Sequence, residues 1–265
     1  MELIENLNDW RKRFGRWRRR SGDDLSGYPF VENRRSPFTS LRRAHPMIHL
    51  AFISSAGAYI DGTEPFDVNA ADGDLNFREI PIEVTGEDLQ FAARGYDTTA
   101  VLEDLNSQIP IQRLLEYQAN AVIGQLNSVW WSFSGWIPNA GRMTETMIPK
   151  IVERLHRYEV QVALIVPASR LCHQSCALVA RAIEASGIST MMLAVEREVI
   201  DKVHPPRCCF YDGEYGQVSG KPNWSEHQRR IMDESLRMIE SFDQPTVRKL
   251  VVDLETEVEQ MRGER

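Results

Sequence analysis

Continuous apolar runs alternate along the chain with stretches whose apolar residues recur every three or four positions. The run at 47–53, rich in Ile48, Leu50, Phe52 and Ile53, predicts a strand buried on both faces. It ends in a turn of small residues, Ser54, Ser55, Ala56 and Gly57. Further strands are expected at 129–134, 160–166 and 190–195, and a short one at 208–211. Helical periodicity marks 111–119 behind Pro110, 144–158, 173–186 up to Gly187, 225–242, and about 245–261. Strand and helix alternate, so the expected class is α/β with a mostly parallel sheet flanked by helices. The units at 47–59 and 160–176 share one design, an apolar strand ending in hydroxyl residues. Two similar halves with a cleft between them would account for that.

Three regions follow from composition. Residues 1–46 are polar, rich in arginine and punctuated by Pro29, Pro37 and Pro46, and read as a basic N-terminal arm. Residues 47–242 form the α/β domain, and 243–265 a C-terminal helix. Hydrophobic residues make up 42% and charged residues 26%, as in a water-soluble globular protein. No apolar run reaches the roughly 20 residues that span a bilayer, and the chain opens without an apolar signal core, so a cytoplasmic protein is expected. Four cysteines in 265 residues do not suggest a disulfide framework.

The net charge is −7, yet 10–20 is strongly basic. Trp10, Phe14 and Trp17 are spaced for one helix face, which favours packing on the body or on a partner subunit. Contact with an acidic membrane or nucleic acid is the other reading of such a stretch. Nucleic acid is not expected as the partner. A homo- or hetero-oligomer formed through the arm is.

The candidate chemistry centres on Cys172. It follows the 160–166 strand and opens the next helix, where α/β proteins place ligands and the helix dipole lowers a thiol pKa. Cys172 and Cys176 are a helical turn apart, too far for a relaxed disulfide. Cys176, Cys208 and Cys209 are expected to be packing residues, the last two on opposite strand faces. The spacings of Cys172, His173, Cys176, His204, Cys208 and Cys209 do not match a zinc site, and 67–74 fails as a calcium loop. No metal and no cofactor are expected. Phosphate-binding glycine loops and the serine-hydrolase elbow are absent. Arg113 could clamp a carboxylate or be an ordinary helix residue.

Several motifs occur in a shared order. They are Ser55-Ala56-Gly57, Glu64-Pro65-Phe66-Asp67, Gly73-Asp74, Phe77-Arg78-Glu79-Ile80-Pro81, Gly95-Tyr96-Asp97, Asp104-Leu105-Asn106, and Pro110 with Arg113-Leu114. Next come Ser132 to Pro138, Cys172-His173-Gln174-Ser175, Ala180-Arg181, Ala185 to Ile188, Pro205-Pro206-Arg207 and Gly220-Lys221-Pro222. Over about 47–240 the chain resembles the selenoprotein B family of glycine, sarcosine, betaine and D-proline reductases. It is most similar to the branch of the D-proline reductase selenoprotein subunit. The resemblance implies reductive cleavage of a carbon–nitrogen bond of a small amine or amino acid. It also implies a selenocysteine or cysteine three residues before Cys172, where this chain has Ser169. Relatives often carry histidines near Asp97, where this chain has Tyr96, Thr98 and Thr99.

The expected site therefore comprises Ser169, Cys172 and His173 as catalytic groups, with Cys172 the reactive thiol and His173 its proton donor or thiolate partner. Ser54, Ser55, Gly57, Asp97, Asn106, Arg113, Gln174 and Ser175 are expected to bind substrate. A non-catalytic binding or scaffolding subunit of a reductase-like complex is the alternative.

Overall fold

Alternate residues of the apolar runs face opposite layers. Ala51, Ile53, Ala163, Ile165, Met192 and Cys208 are buried in one apolar core. Leu50, Phe52, Leu164, Val166, Met191 and Cys209 are buried in another. The sheet between them is covered on both sides, as the unbroken hydrophobic runs require. The vicinal Cys208 and Cys209 accordingly point to opposite faces.

The structure is a computed structural model that describes residues 2–21 and 24–252. In chain order the elements are α1 (Leu7–Ser21), β1 (His49–Ser54), β2 (Ala58–Ile60), β3 (Phe77–Pro81), β4 (Leu89–Phe91), α2 (Thr99–Glu103) and α3 (Ile111–Ala119). Then follow β5 (Gln125–Leu126), β6 (Val129–Phe133), α4 (Ala140–Thr146), α5 (Ile148–Arg157), β7 (Val162–Val166) and α6 (Arg170–Ala185). The last are β8 (Ser189–Ala194), α7 (Arg197–Val203), β9 (Arg207–Phe210), α8 (Ser225–Ser241) and β10 (Thr246–Lys249).

The strand order is β10-β9-β8-β7-β1-β6-β3, with β5 also paired to β1. Every pairing in this sheet is parallel except β3 with β6. β2 and β4 form a separate antiparallel pair. The two look-alike units are therefore neighbours in one sheet, with Leu50 to Ser54 in register with Val162 to Val166. From β1 the chain runs through α2 and α3 towards β6. From β7 it runs through α6 towards β8, on the other side. Adjacent strands whose connections depart in opposite directions open a crevice at their carboxyl ends.

Segment 245–261 differs from expectation. Thr246–Lys249 is a strand that continues the sheet beside β9. Pairing with an open sheet edge outweighs the weak helical pattern after Pro245. The rest of that expected helix, beyond residue 252, lies outside the described residues.

The N-terminal segment folds onto the body. Trp10, Phe14 and Trp17 of α1 are buried, and Trp10 stacks on Phe14 at 5.0 Å. Each large side chain buried this way contributes about 2–3 kcal/mol. Polar groups of α6 hold the stretch that follows. Gln174 accepts the Val31 N–H at 2.7 Å and donates to the Tyr28 hydroxyl at 2.8 Å. Arg181 donates to the Leu3, Arg35 and His204 carbonyls. Glu184, itself paired with the buried Arg207, accepts from the Thr39 N–H and from Thr190.

Candidate functional site

The carboxyl ends of β1, β6 and β7 converge on the start of α6. Ser169 is the N-cap of that helix, so its hydroxyl accepts a backbone bond, from the Cys172 N–H at 3.4 Å. Having accepted there, the hydroxyl directs its own hydrogen to Cys172 Sγ, 3.0 Å away. The thiol in turn points to the Ser55 carbonyl at 3.7 Å. Ser55 also braces β7, because its hydroxyl accepts the Ala168 N–H at 3.1 Å.

The site is closed. Cys172 is 1% exposed and Ser169 is fully buried. Gly135, after β6, lies on the sulfur: a Cβ there would stand 2.3 Å from Cys172 Sγ and 2.6 Å from Ser55 Cβ. Gly95, with φ +86°, occupies the space above Ser169, and its Cβ would meet the Trp136 ring at 2.7 Å. Tyr96 closes one side by donating to the Ala56 carbonyl at 2.6 Å. Burial pushes its phenol pKa up, and charge on Cys172 pushes the same way. On the other side Gly216 packs on Tyr96, and its N–H donates to the Ala168 carbonyl at 3.0 Å. Tyr215 rests its ring 5.9 Å from that of His173.

His173 contacts the Ser169 carbonyl through Nδ1 at 2.7 Å and accepts the Val195 N–H on Nε2 at 3.0 Å. With Nε2 accepting, Nδ1 carries the proton, and burial lowers the pKa to about 4. The ring is thus neutral and fully engaged, and neither nitrogen bonds to Cys172. Ser175 donates to the Gly135 carbonyl at 2.9 Å and helps hold the cover in place. Ser54 is buried at the end of β1, its hydroxyl accepting the Ala56 N–H, and Gly57 bonds to Phe133 of β6.

Four residues bond elsewhere. Gln174 bonds the N-terminal segment, as described above. Asp97 accepts from Thr99 at the start of α2, and these bonds hold its carboxyl below the usual range. Asn106 is used by Asp104 and Gln112. Arg113 reaches Gln228 and Glu116. No group of three or more metal-ligating side chains is found among the described residues. No helix among them is long and apolar enough to cross a membrane.

Tyr96 and Gly135 fall inside motifs quoted from the sequence but are not among the expected site residues. No local pattern marks Tyr215, which arrives from the loop after β9.

No family model matches the chain, and no solved structure matches it. It is 28% identical over 202 residues to the D-proline reductase subunit gamma of Acetoanaerobium sticklandii, covering 76% of this chain and 81% of that subunit. Over most of its length the chain is similar to that reductase subunit. A shorter match, 28% over 109 residues, is to the glycine reductase complex component B subunit gamma of Symbiobacterium thermophilum. It covers 40% of this chain and 24% of that relative. This chain has a thiol at a helix start and a hydroxyl within hydrogen-bond reach of it, Ser169.

Proposed function

We propose that the chain is a subunit of a reductase-type complex whose Cys172 thiol acts in carbon–nitrogen chemistry on a small amine or amino acid. The observation that carries this is the Ser169–Cys172 hydrogen bond at the carboxyl ends of the paired strands β1 and β7. The names of the relatives, subunits of D-proline and glycine reductases, support the reaction class and the assembly. Ser169 stands where the resemblance implies the first redox residue. A hydroxyl cannot enter a disulfide, so Cys172 works as a lone thiol, and the two electrons of a reductive cleavage come from an external dithiol. Ser169 supplies a hydrogen bond to the sulfur, and His173 fixes the helix start by holding the Ser169 carbonyl.

A second reading is a non-catalytic subunit beside an active partner. The burial of the thiol beneath Gly135 favours it. Amine release from a panel of small amino acids, with dithiothreitol as reductant, separates the two. Release that disappears in Cys172→Ser supports the enzyme. Release unchanged by that substitution, or none across the panel, supports the silent subunit.

A further inference from the structure

Helix α1 carries seven basic residues and one acidic residue in a chain whose net charge is −7. Some of these charges are matched locally. Arg11 pairs with Glu145, Arg13 with Asp9 and Glu32, and Arg18 with Asp72. Lys12, Arg16, Arg19 and Arg20 are exposed and have no ion-pair partner among the described residues. Their spacing, i, i+4, i+7 and i+8, sets them along one helix face. Like charges at i, i+4 repel by a few tenths of a kcal/mol, so the stripe does not stabilise α1 internally.

The opposite face decides what the stripe can bind. A helix that inserts into a membrane needs a free apolar face, and single-stranded nucleic acid needs exposed aromatic rings for stacking. Trp10, Phe14 and Trp17 are all buried against the body, and both indole N–H groups are engaged by the Pro29 and Ser26 carbonyls. What remains is a set of guanidinium and ammonium groups suited to carboxylates.

Trp17 links the stripe to the cover over the thiol. Arg16, Arg20 and Trp17 line a cleft of about 420 Å³. Trp17 and Arg18 line a second, of about 250 Å³, with Arg94 and Trp136. Arg94 stacks on Trp136 at 4.6 Å, and Trp136 is the ring that Gly95 packs against above Ser169. We propose that the cation stripe of α1 docks an aspartate- and glutamate-rich surface of a partner protein, seated beside the cover over Ser169 and Cys172. This rests on the reading of the chain as a subunit of a complex, and it adds which face meets the partner and by what chemistry.

The test uses the full chain and a fluorescein-labelled deca-glutamate peptide. A thymidine dodecanucleotide and phosphatidylglycerol–phosphatidylcholine vesicles serve as competing probes. Peptide affinity should fall steeply as salt rises, as for exposed charges, and drop about tenfold or more in Arg16→Glu/Arg20→Glu. The charge-matched Arg42→Glu/Arg43→Glu should bind nearly as wild type. Circular dichroism reports the fold, and Arg16→Gln/Arg20→Gln replaces the reversal if that variant does not fold. Absent peptide binding, equal loss in both pairs, or tighter binding of the oligonucleotide or vesicles overturns the proposal. Selective alkylation of Cys172 in the same preparation would leave the thiol reading standing even then.

Discussion

The Ser169 hydroxyl lies 3.0 Å from the Cys172 sulfur, and the same oxygen accepts the Cys172 backbone N–H. One hydroxyl thus both caps α6 and solvates the thiol. Ser169→Ala should therefore lower stability by about 1 kcal/mol, the usual cost of a lost N-cap, and also slow alkylation of Cys172. In Ser169→Cys the two sulfurs fall within reach of a bond. Intact mass should drop by two hydrogens under mild oxidation and return with dithiothreitol. A variant that stays fully reduced would show that the two positions do not approach in solution.

Gly135 is constrained by the same sulfur. A Cβ there would meet Cys172 Sγ at 2.3 Å, so Gly135→Ala should destabilise the protein by about 1–3 kcal/mol through overpacking. In the Cys172→Ala background the penalty should shrink, though not vanish, because Ser55 Cβ stays 2.6 Å away. A double-mutant cycle by urea unfolding measures that coupling.

Glu184 and Arg207 form an ion pair with no exposed side-chain surface. Burial raises the Glu184 pKa, and the guanidinium acts against that rise. Glu184→Gln leaves Arg207 charged and unmatched beneath Phe38, whose ring centroid is 3.9 Å away. Loss of about 3–5 kcal/mol is expected. Release of the segment around Thr39, seen as faster amide exchange, should accompany it.

Acid should weaken the fold through its histidines. Burial lowers His173 and His227 to about 4 from an ordinary value of 6.5. Between those values the unfolded chain binds the more protons, so stability rises with pH. Their contribution is complete above about 6.5 and is lost as pH falls towards 4, on the order of 3 kcal/mol for the fully buried His173. Thermal midpoints across that window should fall with acid, and less so in His173→Gln.

Much of this fold was legible because buried strands are written as continuous apolar runs. The expected helix at 111–119 coincides with α3, and the 160–166 run contains β7. The start of α6 could be placed because hydroxyls and a thiol follow a buried strand. The orientation of its side chains is also legible. At about 100° per residue, Gln174 lies about 200° round the helix from Cys172, while Ser175 and Cys176 return to the thiol's face. Gln174 accordingly holds the N-terminal segment and Ser175 the Gly135 carbonyl. The cover was less legible. Gly135 on Cys172, Tyr96 on the Ala56 carbonyl and Gly216 on Tyr96 are long-range contacts, which local periodicity does not encode. β10 is illegible for a related reason, since its strand character comes from the open edge of β9.

For Cys172 as the proposed reactive thiol, the other three cysteines provide the internal comparison. All four are buried. Burial pushes Cys176 and Cys208 well above the ordinary thiol value and Cys209 to about 12. Cys172 alone is bonded by the N-cap hydroxyl of its helix. Native protein should be alkylated with iodoacetamide at neutral pH and each cysteine followed by peptide mass mapping. Cys172 should label first, and more slowly in Ser169→Ala. If Cys172 labels no faster than Cys176, Cys208 or Cys209, it is a packing residue and the proposed chemistry is wrong.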